Sequence, residues 1–352
     1  MTPAELEGAA GAVWRRRCHG SFALCKLSVT PAELKGAAAP ARTRNLGGVT
    51  DATGAKPQSV DDVMAALAAH GYLADEGLAT SIFLALVLHR PLLLEGEAGV
   101  GKTEVAKVLA SWTGGELLRL QCYEGIDLSQ AAYEWDYARQ LLHLRAVEAT
   151  GESAREAEDE LYDSRFLVRR PLLRALEPTI GPPPVLLVDE IDRADDEFEA
   201  YLLEILSEYA VTVPELGTIR ADVPPVVVLT SNRTRDVHDA LKRRCLYHWV
   251  EHPDFEREVE IVRLRAPQAL PRLARQIAAA VAALRSMGLY KPPGVAETID
   301  WAAAVAALGR EQLDEATVGA TLGAVLKYQE DQQRVRASSI GELVRAAVLR
   351  GG

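Results

Sequence analysis

The octapeptide GEAGVGKT, Gly96 to Thr103, limits what this chain can fold into more than any other stretch, because of what flanks it. The apolar run PLLLE precedes it and the helix-like VAKVLASW follows, an order of strand, loop and helix. Glycines at positions 96, 99 and 101 let successive backbone N–H groups turn inward around an anion, and the helix adds the positive end of its dipole. The pattern is GxxxxGK[ST]. In it Lys102 would reach the β- and γ-phosphates of a nucleotide, and Thr103 would place its hydroxyl on Mg²⁺. The candidate cofactor-binding residues are therefore Gly96, Glu97, Ala98, Gly99, Val100, Gly101, Lys102, Thr103 and Glu104.

An acidic strand end should complete such a site, and PPPVLLVDEIDRAD supplies one. Val185 to Val188 is wholly apolar, as a buried parallel strand is, and it closes on Asp189 and Glu190. Asp189 would hold the metal, usually through water, and Glu190 would act as general base on the attacking water. The plainer account is a pair of solvated acids ending a strand. A third apolar strand, Pro225 to Thr230, ends in Ser231 and Asn232. An amide there either orients the water against the γ-phosphate or serves as an ordinary turn or cap residue. The helix-like VHDALKRR and the short strand CLYHWVE come next. Arg243 and Arg244 close that helix, where cations suit the dipole; the sharper alternative is an arginine finger acting on a neighbouring subunit.

With these segments in place the chain resembles the MoxR-like AAA+ ATPases over roughly residues 60–349. The resemblance rests on GEAGVGKT, VLLVDEIDRAD, VVLTSN and ALKRRCLYHWVEHPD in that order. The stretches RLQCYEGIDLSQAAYEWDYARQ and PPGVAETIDWAAAVAAL look most like the branch containing the accessory ATPase of carbon monoxide dehydrogenase maturation. The resemblance implies a homo-oligomeric ring, often hexameric, that uses ATP to remodel a client or adaptor protein or to help load its metal. It makes Gly96 to Thr103 the Walker A loop, Asp189 and Glu190 the Walker B acids, and Asn232 sensor 1. Arg244 best matches the finger; Cys245 follows it where relatives more often have phenylalanine, so Arg243 stays a competitor. Many relatives carry a sensor 2 arginine at the start of a lid helix. Here GVAETIDWAAAV offers Glu297 and Thr298 instead, which leaves sensor 2 unassigned.

Two insertions stand out. In the first, Glu124 to Arg165, the residues Tyr133, Tyr137, Leu141 and Leu144 fall at helical spacing, an apolar stripe expected to pack, with contact to a substrate as the alternative. The acidic EATGESAREAEDELYD beyond it reads as a loop or exposed helix. In the second, Val211 and Val213, then Ile219 and Val223, alternate around Pro214 to Gly217, as a β-hairpin does. In related rings such hairpins point toward the central pore.

Composition bounds the rest. At 352 residues and 48% hydrophobic, two full cores are within reach. No apolar run approaches the ~18 residues of a membrane span, and the N-terminus lacks a signal-peptide core, so a cytoplasmic protein is expected. Cys18, Cys25, Cys122 and Cys245 have no metal-ligand spacing and read as reduced thiols. Residues 1–56 hold 8 basic and 4 acidic residues, leaving 31 basic against 46 acidic in the remainder. That acidic body lacks the basic footprint of a nucleic-acid motor. Within the first 56 residues TPAELEGAA is echoed by TPAELKGAA, periodicity is poor, and disorder is expected.

The sequence thus predicts a disordered tail (1–56), an α/β P-loop AAA+ domain with a parallel sheet (57–254) and a small α-helical lid (255–352). The expected activity is ATP hydrolysis with ATP and Mg²⁺ as cofactors. Two alternatives remain: a metal-chelatase-type motor subunit, and a nucleotide-dependent scaffold with little turnover.

Overall fold

The computed structural model describes residues 57–150, 160–178 and 180–351, all within one compact unit spanning 51–352. The expected tail, most of the acidic stretch, Cys18 and Cys25 lie outside the described residues.

In chain order the elements are α1 (Val60–Ala69), α2 (Glu76–Leu88), β1 (Leu92–Gly96), α3 (Lys102–Thr113), β2 (Leu117–Gln121), α4 (Leu128–Ala131), β3 (Tyr133–Trp135), α5 (Tyr137–Thr150), β4 (Leu167–Arg169), α6 (Pro171–Leu176), β5 (Val185–Asp189), α7 (Asp196–Glu208), β6 (Ala210–Val213), β7 (Gly217–Arg220), β8 (Val226–Ser231), α8 (Asp239–Arg244) and β9 (Leu246–Val250). Helices only follow: α9 (Phe255–Arg265), α10 (Pro271–Arg285), α11 (Val295–Ala307), α12 (Glu315–Val325), α13 (Gln329–Ala337) and α14 (Ile340–Gly351).

Five strands form a parallel sheet in the order β2-β5-β8-β1-β9. Strand side chains alternate between faces, and the apolar runs supply both. Leu92, Leu94, Val185, Leu187 and Val228 pack with α1, α2 and α3. Their neighbours Leu93, Leu186, Val188, Val227 and Leu229 pack on the other face with α6 and α7. Because the sheet is parallel, Gly96, Asp189 and Ser231 emerge at one edge, and the register sets Gln121 beside Asp189 and Glu95 beside Ser231.

The segment α9–α14 builds its own apolar cluster around the fully buried Trp301, whose indole N–H donates to Thr321 Oγ1 at 2.7 Å. Asp254 and Asp314 accept from the N3 amides of α9 and α12, satisfying donors that a helix start leaves open.

The β6–β7 hairpin forms as expected, pairing Val211 with Ile219; Val223 falls beyond it and is exposed. The first insertion differs from the expectation. Tyr133 belongs to strand β3, which pairs antiparallel with β4, so it is not on the helix of Tyr137 and Leu141. Those two are 70% and 52% exposed. The helical spacing is real from Tyr137 on, but among the described residues Tyr137 and Leu141 are exposed and Leu144 is half-buried.

Candidate active site

The loop between β1 and α3 curls over the sheet edge. At Gly96 any Cβ would collide with the Val250 carbonyl of β9, so the strand pairing itself demands glycine there. Gly99 has φ +81°, and a Cβ on it would meet the Glu297 carboxylate and Gly294 Cα. Lys102, 6% exposed at the first turn of α3, donates to Gly96 O (2.8 Å), Glu97 O (2.7 Å) and Asn232 Oδ1 (2.8 Å). Burial lowers its pKa from the usual lysine range to about 8; the carboxylates of Asp192, Asp189 and Glu190 work against that fall.

Thr103 Oγ1 donates to Asp189 Oδ1 at 3.0 Å, and Thr230 Oγ1 donates to the same oxygen at 2.6 Å. Asp189 Oδ2 accepts from the guanidinium of Arg119 through Nε (3.0 Å) and Nη2 (2.6 Å). Glu190 sits in the left-handed region at φ +57°, a strained conformation for a side chain with a Cβ. Three partners hold it there: its amide donates to Thr230 Oγ1, and its carboxylate accepts from Gln121 Nε2 (2.9 Å) and pairs with Arg193 (3.0 Å). Asn232 Nδ2 lies 3.4 Å from Glu190 Oε1. The buried Asp192 pins that loop by accepting from the amides of Asn232 and Thr234 and from the Thr234 hydroxyl.

These residues open on a cleft of about 380 Å³. The loop Ala98 to Glu104, Asp189, Glu190 and Asn232 form its floor; Tyr72 and Asp75 after α1, Arg257 of α9 and Val295 and Ala296 of α11 form its walls. Glu104 pairs with Lys107 and Arg265 at its rim. Among the described residues no cluster of three or more His, Cys, Asp or Glu side chains is built to cage a metal. The Thr103 hydroxyl and Asp189 carboxylate nevertheless converge beside a glycine loop and a buried lysine. That donor set fits Mg²⁺ carried in with phosphate oxygens, the way this ion is usually bound.

The sequence-predicted residues are thus brought together, except the two arginines. Arg243 and Arg244 are exposed at the end of α8 and do not line this cleft. Arg90 donates to the carbonyls of Arg243, Arg244 and Cys245, closing the C-terminus of that helix. At the start of α11, Glu297 accepts from the Gly294 amide and Thr298 donates to Glu258, so neither contributes a cation. Sequence reading missed Arg119, Gln121, Asp192 and Thr230. The signal for the first two was the alternation in LLRLQ, whose Leu118 and Leu120 are buried while positions 119 and 121 share the opposite face.

A parallel sheet with a phosphate loop, an acidic strand end and a polar third strand end at one edge defines a P-loop nucleotide-binding fold. Residues 91–245, a little under half of the chain, match the family described as AAA domain (dynein-related subfamily). Solved structures similar to the chain include two variants of RuvB from Thermotoga maritima. One is 15% identical, covers 84% of this chain and 91% of that chain, and has a TM-score of 0.43; the other is 16% identical, covers 78% and 74%, and has a TM-score of 0.42. A presumed ATPase from Cytophaga hutchinsonii is 15% identical over 83% of this chain and 93% of that chain, with a TM-score of 0.41. No curated protein matches the chain.

Proposed function

We propose that the chain is an ATP-hydrolysing AAA+ remodelling ATPase of the MoxR kind, working as a homo-oligomeric ring, commonly of six subunits, on a client or adaptor protein whose maturation or metal loading it assists. The observation that carries the hydrolytic part is the position of Asn232. Its amide bridges Lys102 (2.8 Å) and Glu190 (3.4 Å), so the phosphate cation, the base and a water-orienting group form one contiguous set.

On this reading Lys102 lets go of the loop carbonyls and takes the β- and γ-phosphate oxygens. Thr103 and Asp189 would hold Mg²⁺, which would supply charge neutralisation for the phosphoryl group. Glu190 accepts the proton of the attacking water at its carboxylate, and Asn232 holds that water in line. Arg244, or Arg243 in its place, reaches the nucleotide of the next subunit. The division of the body into an ATPase part (57–254) and a lid (255–352) belongs to the same proposal. It is supported by the separate apolar cluster of α9–α14.

Glu190→Gln keeps a carbonyl acceptor and removes the base. Nucleotide binding by calorimetry is expected to survive while phosphate release falls by ~10² or more. Turnover within a few-fold of wild type would assign the water to another residue. Proteins trapped on this variant would identify the client.

A further inference from the structure

We propose that Arg119 is a built-in counter-ion of the metal-binding carboxylate, standing on Asp189 until metal arrives and so setting the Mg²⁺ concentration at which nucleotide is gripped. The inference rests on the nucleotide-site reading above and concerns a residue outside every motif that led to it.

The acceptor capacity of Asp189 is the starting point. A carboxylate offers about four lone-pair sites, and here four donors occupy them: the Thr103 and Thr230 hydroxyls on Oδ1, and Nε and Nη2 of Arg119 on Oδ2. The carboxylate is 4% exposed, so little solvent competes for it. A hydrated Mg²⁺ can reach it only where a donor withdraws. Thr103 can keep donating its proton to Asp189 while offering an oxygen lone pair to the metal, and Thr230 is buried in strand β8. Arg119 is the donor free to leave, with its side chain 55% exposed on the edge strand β2. Like the metal it is a cation, so it satisfies the same carboxylate electrostatically while the metal is away.

The guanidinium also reaches the base. Arg119 Nη2 donates to Gln121 Oε1 at 2.6 Å, and Gln121 Nε2 donates to Glu190 Oε2 at 2.9 Å. Arg119 thus also orients Gln121 toward Glu190, and a guanidinium that swings clear of both Asp189 and Gln121 would loosen that orientation. Register explains the reach: Arg119 lies across from Leu187, two residues short of Asp189, and a long side chain spans the diagonal.

The test is binding of a non-hydrolysable ATP analogue to the full chain by calorimetry across a Mg²⁺ titration. Arg119→Met is expected to lower the half-saturating Mg²⁺ about three- to tenfold, in line with an exposed arginine paired to a buried carboxylate. Its affinity without metal should not rise. Arg119→Lys, which keeps a point charge without the fork, should fall between the two. Arg193→Met removes the same charge from Glu190 rather than Asp189 and should move the midpoint less than twofold. An unchanged or higher midpoint in Arg119→Met, with its thermal transition intact, overturns the inference. An equal fall in Arg193→Met also overturns it, since general electrostatics would then suffice. Wild-type protein that bound no analogue at any Mg²⁺ concentration would overturn the nucleotide reading along with it.

Discussion

Lys102 has to be a cation in a place that disfavours one. Burial brings its pKa to about 8 in the empty site, below the usual lysine value of 10.5, and the sign of the consequence follows. Above pH ~8 the empty site begins to lose this proton, and phosphate oxygens restore it. Nucleotide binding should therefore take up a proton, and affinity should decline as pH rises from about 8 toward 10. Calorimetry in buffers of different ionisation heat reads this directly; affinity flat across that range would mean the lysine stays charged. Between about 8 and 10.5 the unfolded chain binds more protons at this group than the folded one, so its contribution to stability rises with pH there. Lys102→Ala should lose tight nucleotide binding altogether, and wild-type affinity in that variant would remove the residue from the site. Lys102, Asp189 and Glu190 were legible because each sits in a contiguous pattern with its strand. Arg119 and Gln121 were not, because their partners arrive through register across two strands, and an edge strand with alternating polar residues ordinarily marks a solvent face.

On the proposed reading, α8 carries the heaviest functional demand for its length among the elements. It has six residues, too few to be stable alone, and Arg90 ties down its last carbonyls. That cap fixes the point from which Arg243 and Arg244 project. Arg244→Ala should leave nucleotide binding by each subunit intact and lower turnover by ~10³ to 10⁵ if it serves the neighbouring site, whereas a helix-end cation contributes only ~0.3–1 kcal/mol of stability. Mixing it with excess Lys102→Ala subunits should partly restore hydrolysis, one variant supplying the nucleotide site and the other the finger. Near-normal turnover in Arg244→Ala alone would shift the role to Arg243 or end the trans arrangement. The inner strands β1, β5 and β8 were readable from their apolar runs, since both faces of the sheet are covered there. The first insertion was not, because helical spacing tells where a face lies and not whether anything covers it; Tyr137 and Leu141 share a face that is exposed among the described residues.

At the scale of the whole molecule, residues 57–351 already bury three apolar clusters of their own. Removing residues 1–55 should therefore preserve one cooperative thermal transition and the ATPase activity; loss of that transition would show that the segment belongs to the fold. The shortened chain keeps only Cys122 and Cys245, both buried, with thiols that burial pushes up to about 12. A thiol reagent at pH 8 should label neither in the native protein and both after unfolding. The C-terminal segment was readable as a run of helices, but part of its footing was not, because beside the ion pairs Arg265–Glu104 and Arg257–Asp75 that footing includes bare backbone. The amide of Ala296 donates to Gly99 O at 3.2 Å, and Gly294 abuts Ala98 O and Gly99 Cα so closely that a Cβ on it would collide with both. On the proposed reading, nucleotide entering the loop would therefore press straight on the backbone that starts α11, beside the Glu297 carboxylate, so the start of that helix is where the helical segment would first register an occupied site.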